Sequence, residues 1–144
     1  TEARILGKLK PLSDVGLGYL HMGQPSSTLS GGEAQRVKLA FFLTKDNSSK
    51  PTLFIFDEPT TGLHFHDISK LLDAFHALVE NGHSIIIIEH NLEIIKSADW
   101  LIDLGPEGGQ QGGQLLFQGP PDGLLAVEAS HTARFLSGKL NGSR

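Results

Sequence analysis

Leu53-Phe54-Ile55-Phe56 and Ile85-Ile86-Ile87-Ile88 are each apolar without interruption. Neither shows polar alternation, so each reads as a short strand covered on both faces, as in a parallel sheet. Between them, from Asp67 to Asn81, Ile68, Leu71, Leu72, Phe75, Leu78 and Val79 recur at helical spacing, and Asn81-Gly82 supplies a stop. The three segments predict a β-α-β unit with a right-handed crossover. Upstream, Glu2 to Lys10 reads as a short helix with Ile5, Leu6 and Leu9 on one face. Pro11 either stops it or opens a second short helix, Pro11 to Leu17, ended by Gly18. Gly18 to Leu29 is loop-like, a helix runs from about Gly31 to Lys45, and Asp46 to Pro51 is a turn.

Downstream, Leu92 to Ala98 reads as a short helix and Trp100 to Leu104 as a third strand. Gly105 to Gly113 holds five glycines and one proline, and strand-like Gln114 to Gln118 follows directly. The Leu104–Leu116 stretch is therefore expected to be a hairpin joint. Pro121 to Glu128 and Ser130 to Leu136 are weak helices, and Gly138 to Arg144 reads as a frayed end. No internal repeat is visible, and the class is α/β.

Composition narrows this picture. A chain of 144 residues with 39% hydrophobic and 19% charged residues suits one globular domain with a sizeable core. No apolar run approaches the roughly 18 residues of a membrane span. The first residues show no basic-then-apolar pattern, so no signal peptide is expected. The absence of cysteine removes disulfides and thiolate zinc sites and fits a reducing compartment. A net charge of −4 does not advertise a nucleic-acid partner, although a local basic patch can still bind one.

The chemistry gathers in three places. Ser30 and Glu33 have capping-box spacing, and Gly31 and Gly32 leave the backbone N–H groups of a helix start open to a large anion. Asp57 and Glu58 follow the first apolar strand at once, at the strand end where α/β sheets bind ligands. There Asp57 can hold a hydrated Mg²⁺, and Glu58 can orient or deprotonate a water aimed at a phosphoryl group. His90 stands past the second apolar strand, at the same sheet edge, where it can hydrogen-bond a terminal phosphate. Gly62 is expected to supply a positive φ or a close backbone approach. His64 and His66, two apart and without a third ligand, read as loop residues. Arg36, Lys38, Lys45 and Lys50 form a loose basic group that reads as a solvated helix face. No G-x-x-x-x-G-K-[ST] phosphate loop occurs.

These motifs resemble the second half of an ABC-type ATPase domain. Leu29-Ser30-Gly31-Gly32-Glu33 looks like the signature, Leu53–Glu58 like Walker B with its catalytic glutamate, Thr60–His64 like the D-loop, and His90 like the switch histidine. Asp57-Glu58-Pro59-Thr60-Thr61-Gly62-Leu63-His64 departs from the Ser-Ala-Leu-Asp usual in transporters. It resembles the A-subunit family of the bacterial UvrABC excinuclease. So do Gly23-Gln24-Pro25, Glu89-His90-Asn91-Leu92, Ala98-Asp99-Trp100, Asp103–Gly109 and Ala129–Leu136.

The resemblance implies a partial ABC-type P-loop NTPase fold without its Walker A half. Residues 1–50 would be a signature helical segment, and residues 51–144 the Walker B and switch-histidine part of the core with a C-terminal hairpin and helices. It implies a piece of a cytoplasmic ATPase that recognises DNA damage in nucleotide excision repair. ATP and Mg²⁺ are the implied cofactors, with no zinc in this segment. The implied partners are damaged duplex DNA, the excinuclease B subunit, a second ABC module and a homodimer partner, with no membrane. Glu58 and His90 would be catalytic, and Asp57 would bind Mg²⁺ through water. Ser30, Gly31, Gly32 and Glu33 would meet the nucleotide of another module, and Gly62 and Leu63 would touch that module. A DNA-facing role for the basic group would follow from the family alone. A transporter ATPase component and a non-catalytic interaction module are the alternatives.

Overall fold

The computed structural model describes residues 2–44, 50–107, 109 and 112–141. The chain forms two compact units, divided between Glu89 and His90.

The first unit holds helix α1 (Glu2–Asp14), a 3-10 turn (Ser26–Thr28), helix α2 (Gly31–Leu43), strand β1 (Leu53–Asp57), helix α3 (Phe65–Glu80) and strand β2 (Ser84–Ile88). β1 and β2 pair in parallel, Phe54 opposite Ile85 and Asp57 opposite Ile88, with α3 as the crossover. The expected β-α-β unit is therefore present. Phe54 and Phe56 point to the inner face, where Phe56 meets Phe75 of α3 at 5.0 Å between ring centroids and Phe54 meets Phe42 of α2 at 4.8 Å. Ile68, Leu71 and Leu78 of α3, Leu39 and Ala40 of α2, and Val15 and Leu17 complete this core.

The other face of the pair differs from expectation. Ile55 is 63% exposed, and Leu53, Ile86 and Ile88 are also open. Uninterrupted apolar strands encode two covered faces, but the described residues cover only one.

At the amino end, α1 is one helix with Pro11 inside it rather than two short helices. Pro11 has no N–H to give the carbonyl of Gly7, yet its fixed φ suits the helix. Ile5 and Leu6 do not pack as the expected apolar face; both are more than half exposed, and α1 meets α2 and α3 without burying a residue fully. α2 ends at Leu43, and residues 46–49 of the expected turn lie outside the described residues.

The second unit contains α4 (Leu92–Lys96), β3 (Leu101–Gly105), β4 (Gln114–Gly119), α5 (Pro121–Leu124) and α6 (His131–Asn141). β3 and β4 pair antiparallel, as the hairpin reading requires, with a register irregularity between Asp103 and Leu104. α5 is shorter than expected, while α6 runs past Gly138 to Asn141. Leu124, Ala133 and Leu136 form the unit's core, with Leu92, Leu101 and Phe117 packed against them. A polar contact ties strand to helix. Ser130 Oγ donates to Asp103 Oδ2 at 2.6 Å and accepts from the Ala133 amide at 2.9 Å, and Thr132 Oγ1 donates to Asp103 Oδ1 at 3.1 Å. Ser130 is fully buried, so this cap of α6 is shielded from water.

The open face of β1 and β2 has a solution consequence, because contiguous apolar surface drives association. The 144-residue chain by itself is expected to form concentration-dependent oligomers in light scattering. Ile55→Lys combined with Ile86→Lys should shift it toward the monomer. A strictly monomeric parent at high concentration would contradict this.

Candidate functional site

The start of α2 is built as its sequence suggests. Ser30 adopts an extended conformation, its Oγ accepts from the Glu33 amide at 3.2 Å, and its own amide donates to Glu33 Oε2 at 2.7 Å. The second carboxylate oxygen of Glu33 accepts a hydrogen bond from the Tyr19 hydroxyl. The two glycines then diverge. Gly31 is exposed, with nothing within 4 Å of the place a side chain would take. Gly32 is buried, and a Cβ there would lie 3.3 Å from the Thr61 carbonyl oxygen and 3.5 Å from that of Glu58. Gly31 leaves the helix end approachable; Gly32 lets the helix lie close against the chain's own loop.

That loop begins at the end of β1. Asp57 shares the open face of the strand with Ile55 and is exposed. The Glu58 amide donates to the Ile88 carbonyl at 2.9 Å, and the Glu58 carbonyl accepts from the Thr61 amide at 3.1 Å. Glu58 has φ +46°, the one positive value outside glycine among the described residues. Such a conformation costs on the order of 1–3 kcal/mol and persists only where its surroundings impose it. Gly62, at φ +76°, supplies the expected left-handed turn.

The surroundings of Glu58 are largely side chains of α2. Gln35 donates from Nε2 to the Asp57 carbonyl at 2.8 Å and accepts at Oε1 from the Asp57 amide at 3.0 Å. Arg36 donates from Nη1 to the carbonyls of Pro59 at 2.6 Å and Thr61 at 3.2 Å. Below the loop, Glu89 Oε1 accepts from the Thr60 amide at 2.8 Å and from its hydroxyl at 2.5 Å.

The predicted site residues thus fall into groups. Ser30, Gly31, Gly32 and Glu33 lie at one helix start, and Asp57, Glu58 and Gly62 in the loop beneath it. Leu63 is half-buried, with its Cδ2 beside Gly16. His90 is the first residue of the second unit. The His64 and His66 rings stack at 5.6 Å, and no group of three or more His, Asp or Glu gathers at metal-binding range among the described residues. The expected solvated basic face needs correction. Arg36 is fully buried and turned to the loop carbonyls, leaving Lys38 and Lys50 exposed, while Lys45 lies outside the described residues.

Tyr19, Gln35, Arg36 and Glu89 carry contacts that the sequence reading gave no role. For Arg36 a signal existed. It stands three and four residues before Leu39 and Ala40, on the buried stripe of α2. Tyr19 gave no such signal, because a loop side chain has no periodicity to place it.

No family model matches the chain. UvrABC system protein A of Vibrio cholerae is 59% identical to it over 137 residues, 95% of the chain. The proteins of that name from Vibrio vulnificus and Agrobacterium fabrum are each 60% identical, over 132 and 129 residues. The chain matches a segment of UvrA. It spans about one seventh of the length of these relatives, 14%, 14% and 13% respectively. The crystal structure of UvrA2 from Deinococcus radiodurans superposes with a TM-score of 0.87 at 42% identity, over 95% of this chain and 17% of that one. The α/β architecture is accordingly that of a partial ABC domain of UvrA.

The Tyr19–Glu33 contact gives this segment a measurable electrostatic signature. The Tyr19 hydroxyl, then the backbone and side chain of Ser30, hold the Glu33 carboxyl below its ordinary 4.5. Partial burial, then the Glu33 hydrogen bond, pushes the Tyr19 phenol above its ordinary 10.0. A lowered carboxylate contributes stability above its unfolded value and loses it as pH falls through the folded one. A raised phenol contributes below its unfolded value and loses it as pH rises through the folded one. The cap is therefore at full strength between 4.5 and 10.0. Tyr19→Phe should move the Glu33 carboxyl upward toward 4.5 in an NMR titration. An unmoved Glu33 would refute the contact.

Proposed function

We propose that this chain is part of an ATP-hydrolysing protein that recognises DNA damage in nucleotide excision repair, and that it contributes to ATP sites in a head-to-tail ABC pair. The observation that carries the reading is the joining, in one compact unit, of an approachable capped helix start to an Asp-Glu pair at the end of a parallel strand. The residues fit the implied cofactors. Gly31 leaves open space at an N-terminal helix end that favours phosphate, and Asp57 presents an exposed hard-oxygen ligand suited to Mg²⁺.

In this reading Ser30, Gly31, Gly32 and Glu33 serve the nucleotide of an opposing module: Ser30 and the glycine amides contact its γ-phosphate, and Glu33 holds Ser30 in place. Asp57 anchors hydrated Mg²⁺, whose contribution is to neutralise developing phosphate charge. Glu58 orients the attacking water and takes its proton. His90 hydrogen-bonds the terminal phosphate, a role that rests on its place two residues past β2. Gly62 and Leu63 touch the opposing module. Residues 1–50 act as the signature segment and 51–144 as the Walker B part of the core. The partners are damaged duplex DNA, the B subunit of the excinuclease, the second ABC module and a second copy of the protein, in the cytoplasm.

In the full-length protein, Glu58→Gln should lower ATP turnover by about a hundredfold or more while leaving nucleotide affinity within a few-fold. Unchanged turnover would remove Glu58 from this role. The 144-residue chain alone contains no G-x-x-x-x-G-K-[ST] sequence and should neither hydrolyse ATP nor bind it tightly. Isothermal titration showing micromolar Mg-ATP affinity would overturn that expectation. Absence of ATP turnover in the full-length parent itself would instead favour a non-catalytic interaction module.

A further inference from the structure

The strained residue of the loop is gripped on both sides by one helix. Gln35 makes two hydrogen bonds to the backbone of Asp57, immediately before Glu58. Arg36 makes its shortest hydrogen bond to the carbonyl of Pro59, immediately after it. Gly32 lies against the Glu58 carbonyl itself. The Glu58 and Ser84 amides donate to the Ile88 and Thr52 carbonyls, so alternate residues 52, 54, 56 and 58 face β2. The amide and carbonyl of Asp57 therefore point to the opposite edge of β1. The Gln35 carboxamide meets them there with one donor and one acceptor, as a neighbouring strand would. Arg36 contributes a charge-assisted bond from Nη1 of a fully buried guanidinium, which close packing holds in place. Asp57 and Pro59 are thus both fixed, and the residue between them takes φ +46°.

We infer that Gln35 and Arg36 are positioning residues for Glu58: by holding the peptide groups on either side of it, they set where its carboxylate stands. The inference rests on the reading of Glu58 as the water-activating group. It adds that the helix beginning at Ser30 is the part that aims this group. A displacement of about 1 Å in such a group can cost a hundredfold in rate without altering binding.

The test uses the full-length protein with Mg-ATP. Arg36 is buried deeply enough that its removal risks unfolding, so half-buried Gln35 is the position to change. Gln35→Met keeps the length of the side chain and removes both hydrogen bonds. It should lower kcat about tenfold or more, with KM, nucleotide affinity and melting temperature close to the parent's. Gln35→Glu keeps the acceptor for the Asp57 amide but turns a carboxylate oxygen on the Asp57 carbonyl, so it should also lower kcat. In a Glu58→Gln background, Gln35→Met should cost nothing further, because two residues acting through one group are not additive. An unchanged kcat, a parallel loss of nucleotide affinity, or fully additive losses in the double variant would overturn the inference. If Glu58→Gln itself turns over like the parent, the reading of Glu58 fails and the inference falls with it. If Glu58→Gln is inactive and Gln35→Met is not, the inference alone fails.

Discussion

A guanidinium shut away from water must be satisfied by whatever the fold puts beside it, and Arg36 sets that condition at the centre of the first unit. The side chain is fully buried, and Nη1 finds two carbonyl oxygens of the loop after β1. Nε and Nη2 have no hydrogen-bond partner among the described residues. Burial of a charge costs several kcal/mol unless dipoles or counter-charges compensate. The loop supplies part of that compensation, with the Pro59 and Thr61 carbonyls turned toward α2, and the Glu33 carboxylate adds a counter-charge. The conformation of the loop and the docking of the helix are consequently a single condition. Gly32 meets it by bringing the helix close, and Gln35 extends it to Asp57.

The second unit satisfies its polar groups by a different route. An aspartate on β3 receives the hydroxyls that begin α6, so strand and helix share one buried polar contact above a small apolar core. This gives a physical role to Asp103, Ser130 and Thr132, which the sequence offered only as members of recognisable stretches.

The elements were legible because they are periodic or uninterrupted. The apolar strands, the crossover helix and the glycine-rich hairpin joint all follow from pattern, and the capping box of α2 from spacing. Less legible were features set by tertiary contact. Pro11 breaks most helices, but α1 carries it through. The strands read as covered on both faces because composition records the environment a strand is suited to, whichever residues supply the cover. Within the site, the carboxylates and glycines announced themselves by type. Gln35, Arg36, Tyr19 and Glu89 did not, since their contacts are to backbone or to residues distant in sequence.

The left-handed backbone of Glu58 bears on how this segment can change. Glycine would relax at that position, and almost any accidental replacement by it would yield a steadier loop with no carboxylate. The easiest gains in robustness therefore lie where the proposed chemistry would be lost. A thermally hardened version of this segment that kept its acid would have to draw its extra stability from elsewhere, and the strand-to-helix contact of the second unit offers such a place.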